Sequence, residues 1–126
     1  MLHKPISKNK QLLDKIVRSG YLSSSVIIKA FEDIDRKDFI RPEYLDRAYA
    51  DMPVPIGYGQ TISQPSTVAF MLERLQPKKG DKILDVGSGS GWTTALLADI
   101  VGAGGEVIGT ERIESLAKFG RVNLKN

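Results

Sequence analysis

Apolar positions along the first half of the chain recur at helical spacing. Leu12, Leu13, Ile16 and Val17 fall on one face of a stretch from Lys8 to Ser19, with Ser7 placed to cap it and Gly20 to end it. Val26, Ile27, Ala30, Phe31 and Ile34 repeat the pattern from Ser24 to Asp35, and Arg41-Pro42 predicts a short helix through Ala48, since proline is tolerated in a first turn. Between Ala50 and Ser63 the prolines 53 and 55 and the glycines 57 and 59 forbid regular helix, so the segment is expected to run extended over a surface. Pro65 opens a further helix through Leu75, with Val68, Met71, Leu72 and Leu75 turned inward, stopped by Pro77 and Gly80.

From Lys82 the period changes. Ile83-Leu84-Asp85-Val86 is a short apolar run ending in glycines, Thr93 to Val101 has helical spacing, and Glu106 to Thr110 is again strand-like. Strand, helix and strand in that order predict the βαβ unit of a parallel sheet, hence an α/β fold with a helical preface over 1–50 and a sheet-bearing part over 51–126. Ile113, Leu116, Ala117 and Val122 predict one more helix. Two parallel strands cannot bury their faces and edges. The 126 residues therefore read as the front half of one larger domain, or as a chain that completes its sheet by associating with another copy or a partner.

The strand-to-helix turn is Asp85-Val86-Gly87-Ser88-Gly89-Ser90-Gly91, at the carboxyl end of a strand, where open α/β sheets bind ligands. Backbone without Cβ atoms lets a flat ligand approach closely, and the helix that follows directs its first amides there. A dinucleotide fingerprint would place a third glycine at position 92, where the chain has Trp92, and a phosphate-binding P-loop would require Lys-Ser or Lys-Thr after Gly91, where the chain has Trp92-Thr93. Glu111 ends the second strand twenty residues after Gly91, placed to accept both hydroxyls of a ribose lying across the strand tips. Each residue also has a plain structural reading: Glu111 as a cap for the next helix, Asp85 as an acceptor for loop amides, the glycines as a tight turn, Trp92 as core. Tyr44, Tyr49 and Tyr58 read as core or rim, with peptide contact the alternative.

Composition narrows the chemistry. There is no cysteine, so disulfides and thiolate metal sites are excluded, and the single histidine, His3, at a terminus expected to fray, leaves little for a histidine-based metal centre or a Ser-His dyad. Hydroxyls, carboxylates, amides and backbone remain. The charge is only +3, from 18 basic and 15 acidic side chains scattered along the chain, which argues against nucleic acid as the main partner. No apolar run reaches the length of a signal peptide or a membrane span, so a cytoplasmic protein without a membrane partner is the simplest expectation.

The stretch ILDVGSGSGWTTALLA, residues 83–98, resembles motif I of the class I S-adenosylmethionine-dependent methyltransferases, a Rossmann-like fold. Together with GYGQTISQP at 57–65 and its approach YADMPVPIG, it resembles one family among them, the protein-L-isoaspartate O-methyltransferases, over roughly residues 10–124. That resemblance implies S-adenosyl-L-methionine as cofactor, and as activity the methylation of the free α-carboxylate of isoaspartyl residues in damaged peptides and proteins, the first step of their repair. It implies that Ser63 is an essential active-site residue, that Gly87, Ser88 and Gly89 contact the cofactor, that Glu111 holds the ribose, and that Gln60 and Thr61 line the cofactor or acceptor side; Asp85 and Gly91, in the same turn, are expected to bind the cofactor with them.

The chemistry is compatible with the residues present. A carboxylate is already a nucleophile at neutral pH, so no base or metal is required, and Ser63 would orient the acceptor as a hydrogen-bond donor; its plain alternative is to cap the helix that Pro65 opens. One departure is visible: Pro65 is followed by Ser66-Thr67, where the family often has a histidine or an aromatic. The remaining strands, adenine contacts and much of the peptide site would come from a rear half. Two other readings stay open: a class I methyltransferase acting on RNA, DNA or a small molecule, and a non-catalytic interaction module.

Overall fold

The structure, a computed structural model, describes residues 4–125. His3 lies outside the described residues. Helix α1, Lys8–Arg18, starts where Ser7 accepts the Lys10 N–H at 3.2 Å, and buries Leu12, Leu13 and Ile16. Helix α2, Ser25–Asp33, is shorter than its pattern and buries Ile27, Ala30 and Phe31, leaving Val26 exposed. Its N-terminus is held from across the molecule, because Glu73 accepts the backbone N–H groups and hydroxyls of both Ser23 and Ser24. Two 3-10 turns follow, Arg36–Phe39 and Pro42–Arg47.

The segment expected merely to run extended is a small hairpin. Strand β1, Val54–Gly57, pairs antiparallel with β2, Gln60–Ile62, and buries Val54, Ile56 and Ile62. Its tip holds Gly57, Tyr58 and Gly59 all at positive φ, Tyr58 at +57°, a left-handed conformation that costs a non-glycine residue about 1 kcal/mol or more. Helix α3, Pro65–Leu75, buries Val68, Ala69 and Leu72. Met71 and Leu75, expected inward, are exposed at 63% and 59%, because they border an open groove beside the sheet instead of the core.

Strand β3, Lys82–Val86, and β4, Glu106–Thr110, pair in parallel from Lys82 opposite Glu106 to Val86 opposite Thr110, joined by α4, Trp92–Val101. Helix α5, Glu114–Leu124, closes the described chain and buries Leu116, leaving Val122 exposed. The face of the sheet toward α4 carries Ile83 and Val107, packed against the core, whereas Leu84, Val86 and Ile108 on the other face are exposed. Helices from before residue 50 and the βαβ unit contribute to one apolar cluster, with Trp92, Leu96 and Ile100 of α4 beside Phe31 and Ile27. Trp92 is core: 3% exposed, with the Phe31 ring edge-on at 5.5 Å. Tyr49 donates to Asp35 at 2.6 Å and Tyr44 packs against the core, while Tyr58 stands out at the hairpin tip. No helix among the described residues is long and apolar enough to cross a membrane.

Candidate active site

The glycine turn is fixed from below. The Thr110 carbonyl accepts the N–H groups of Gly87 at 2.8 Å and Ser88 at 2.9 Å, so the turn is stitched to the tip of the neighbouring strand. Gly87, Gly89 and Gly91 have φ of +77°, +53° and +97°, values that a side chain would strain. Gly91 N–H returns to the Ser88 carbonyl at 2.9 Å, and the first helical bond of α4 runs from Ala95 N–H to the Gly91 carbonyl. The amides of Trp92, Thr93 and Thr94 are thus the unpaired donors of a helix start. The turn's own amides at 87, 88, 89 and 91 are already used, so what it offers a ligand is bare glycine surface.

Glu111 does more than cap the next helix. One carboxylate oxygen accepts the Gly89 N–H at 3.1 Å and the other the Ile113 N–H at 3.0 Å, so it caps the approach to α5 and also holds the turn. Each carboxylate oxygen keeps a second lone pair, so acceptor capacity for hydroxyls remains. Asp85 does not receive loop amides, as one expectation had it. Its carboxylate accepts the Thr94 hydroxyl at 2.7 Å, which pins α4 to β3.

Ile56 of the hairpin packs against the turn, its Cδ1 lying 3.1 Å from where a Cβ on Gly89 would be. This contact brings the two polar stretches of the sequence together. Gln60 and Thr61 form one wall of a hollow of roughly 470 Å³, Gly87 and Gly89 another, and Glu111 with Arg112 a third. Ser63 lines an adjoining apolar groove of roughly 650 Å³ with Asp85, which shares Val86 and Gly87 with the hollow. Ser88 and Gly91 face a smaller space of roughly 170 Å³ on the α5 side, bordered also by Glu111.

Ser63 does not cap α3. The Ser66 N–H is taken by the Asp51 carboxylate at 2.9 Å, and Gln64 donates to the Asp51 carbonyl at 3.1 Å. Ser63 is left exposed, with no partner for its hydroxyl among the described residues. The Asp51 carboxylate, fifteen residues before Ser66, thus takes the capping duty that the sequence offered to Ser63.

The sequence reading missed the support from α5. Asn123, 8% exposed, donates to the Ser90 carbonyl at 2.9 Å, and Gly120 lies so close that a Cβ there would sit 2.8 Å from the Gly89 carbonyl oxygen. Helix period alone carries no signal of either contact. Gly120→Ala is accordingly expected to push α5 off the turn at a cost of about 2–3 kcal/mol, of which the helical gain of alanine over glycine returns about 1 kcal/mol. In a thermal melt this should lower Tm by roughly 3–10 °C, while Gly104→Ala, with nothing within 4 Å, leaves it unchanged. Equal melts would show that α5 yields freely and does not support the turn.

A family model described as Protein-L-isoaspartate(D-aspartate) O-methyltransferase matches residues 7–126. A protein-L-isoaspartate O-methyltransferase of Aeropyrum pernix is 46% identical over 115 residues, which cover 91% of this chain and 44% of the relative. Another, of Methanopyrus kandleri, is 45% identical over 116 residues, 92% of this chain and 51% of the relative. The chain thus spans about half the length of the curated relatives it matches. A Plasmodium falciparum protein assigned to the same enzyme class and solved in complex with S-adenosyl-L-homocysteine superposes with a TM-score of 0.85 at 33% identity, over 95% of this chain and 56% of that one. The fold is therefore the Rossmann-like α/β arrangement of these methyltransferases, and the chain belongs to the protein-L-isoaspartate(D-aspartate) O-methyltransferase family.

Proposed function

We propose that the protein of which these residues form a part transfers a methyl group from S-adenosyl-L-methionine to the free α-carboxylate of L-isoaspartyl residues in damaged peptides and proteins. The observation that carries the reading is the meeting of the hairpin and the glycine turn around one hollow, with Glu111 at the strand tip and Ser63 exposed in the groove next to it. The residues fit the cofactor's chemistry. Glu111 would take the ribose hydroxyls, Gly87 and Gly89 would admit the flat nucleoside, and Gln60 and Thr61 would close the opposite wall. Ser88 and Gly91 border the smaller space toward α5, and Asp85, tied to Thr94 of α4, lines the groove with Ser63; each would meet the cofactor from that side of the turn. When bound, the cofactor supplies a methyl group already activated on a sulfonium.

What remains for the protein is positioning. The acceptor carboxylate is ionised at neutral pH and attacks unaided, so no side chain has to remove a proton. Ser63 donates a hydrogen bond to the carboxylate oxygen that does not attack, which fixes the other oxygen in line. A donor on the attacking oxygen would lower its nucleophilicity. Ser63 is not a covalent nucleophile, since no histidine stands among the described residues to activate it.

Methyl-labelled cofactor, offered with an isoaspartyl peptide beside its aspartyl twin, tests the reading in the protein at its natural length. Label is expected on the isoaspartyl peptide alone and lost in mild base, as a methyl ester requires. Equal labelling of both peptides, or none, would overturn it, and label on RNA, DNA or a small molecule would redirect it.

A further inference from the structure

Arg36 has no exposed surface, and neither the proposed reaction nor any ion pair among the described residues uses its charge. Its guanidinium lies 4.5 Å over the centre of the Trp92 ring. One terminal nitrogen donates to the Met52 carbonyl at 3.3 Å, while Nε and the other terminal nitrogen are buried with no acceptor, as is Trp92 Nε1. The backbone around it is anchored, since Asn9 accepts the Arg36 N–H at 3.4 Å and donates to the Phe31 carbonyl at 3.1 Å. Burial pulls the guanidinium down to about 10, with the Asp51 carboxylate acting in the opposite direction, so it is still a cation at neutral pH.

A buried cation with so few hydrogen bonds is a poor way to gain stability, because an apolar side chain of similar volume avoids the desolvation cost. Its neighbours suggest what else it does. Trp92 is the residue at which the glycine turn passes into α4, and Met52 stands two residues before β1 of the hairpin. The 3-10 turn that carries Arg36 also packs against α5, which holds the turn through Gly120 and Asn123. Arg36 therefore touches the roots of both walls of the hollow and no part of the hollow itself.

We propose that Arg36 is a positioning residue that clamps the exit of the glycine turn, through Trp92, to the approach of the hairpin, through Met52, and so sets the width of the cofactor hollow. A rigid fork bonding a carbonyl and stacking on an indole suits this task better than an apolar chain, which could fill the space but would not tie the two segments together. The clamp rests on the proposed function only in calling the hollow's ligand the cofactor.

The test compares Arg36→Met and Arg36→Lys with the parent, at natural length, by amide hydrogen exchange, thermal melting and calorimetric titration with S-adenosyl-L-homocysteine. For Arg36→Met the expected result is a Tm within a few degrees of the parent, exchange faster by about 10-fold in both 57–63 and 87–92, and affinity lower by a similar factor. Arg36→Lys keeps a cation over the indole and should recover part of both losses. Faster exchange in one segment only, or uniformly along the chain in step with a lowered Tm, would show a merely structural role and overturn the clamp. Should Arg36→Met not fold, Arg36→Lys decides: several-fold faster exchange in both segments at an unchanged Tm supports the clamp, and parental exchange overturns it. If the parent binds no S-adenosyl-L-homocysteine yet both segments loosen, the proposed function fails and the clamp stands. If the parent binds and the variants bind equally with unchanged exchange, the reverse holds.

Discussion

Ser63→Ala is expected to reduce kcat/KM for an isoaspartyl peptide by roughly 10- to 100-fold, the loss of one charge-assisted hydrogen bond of about 1.5–3 kcal/mol. The same variant should melt with its parent, because Ser63 is exposed and its hydroxyl has no partner among the described residues, and substitutions of that kind stay within about 0.5 kcal/mol. Activity and stability therefore separate at this residue. Asp51→Ala is the opposite case: it removes the acceptor of the Ser66 N–H and should cost about 0.5–2 kcal/mol of stability, as the loss of a helix cap does. The loss at Ser63 is also expected to divide between KM and kcat. Negative charge leaves the acceptor carboxylate as the ester forms, so a donor to it holds the ground state at least as well as the transition state, and its benefit is orientation. Ser63→Thr retains the donor and should recover most of the activity. An alanine variant with parental kinetics would remove Ser63 from the site, and one with a lowered Tm would return it to a structural role.

The strand-helix-strand core was legible because its punctuation is local: a four-residue apolar run, glycines at every second position, and a ten-residue helix before the next run. The place of Glu111 beside the turn was legible for the same reason, since it directly follows a strand of known spacing. The hairpin was not. Pro55 pairs opposite Thr61 in a strand of four residues facing one of three, lengths too short for a period of two to show, and its two prolines and two glycines read as loop. Helix α3 displays its apolar stripe in the sequence, but the stripe cannot say which part will be covered, and Met71 and Leu75 fall beside the open groove. The contacts that hold the site in place join residues far apart in sequence: Asp51 to Ser66, Asn123 to Ser90, Gly120 to the Gly89 carbonyl, Arg36 to Trp92. Each side chain in these pairs has an ordinary local reading, and only the fold reveals the other partner.

Glu111→Ala is expected to weaken binding of S-adenosyl-L-homocysteine by about 100-fold, near 2.7 kcal/mol, from two separable losses. The first is internal. The Gly89 and Ile113 amides lose the carboxylate that accepts both, and the half-buried turn pays part of the cost of an unsatisfied donor before any ligand arrives. The second is the ribose acceptor itself. An analogue lacking one ribose hydroxyl separates them, since it removes the second interaction and leaves the first. The parent should prefer the intact ligand by roughly 10-fold, and Glu111→Ala should bind both forms with nearly equal, low affinity, a coupling that closes a double-mutant cycle between residue and hydroxyl. Glu111→Gln should recover little, because its amide nitrogen presents a donor to one of the two N–H groups that the carboxylate accepts. If the alanine variant instead weakens both forms by the same factor and keeps the parent's preference, Glu111 acts only by holding the turn, and the hydroxyls are bound elsewhere on the strand tips.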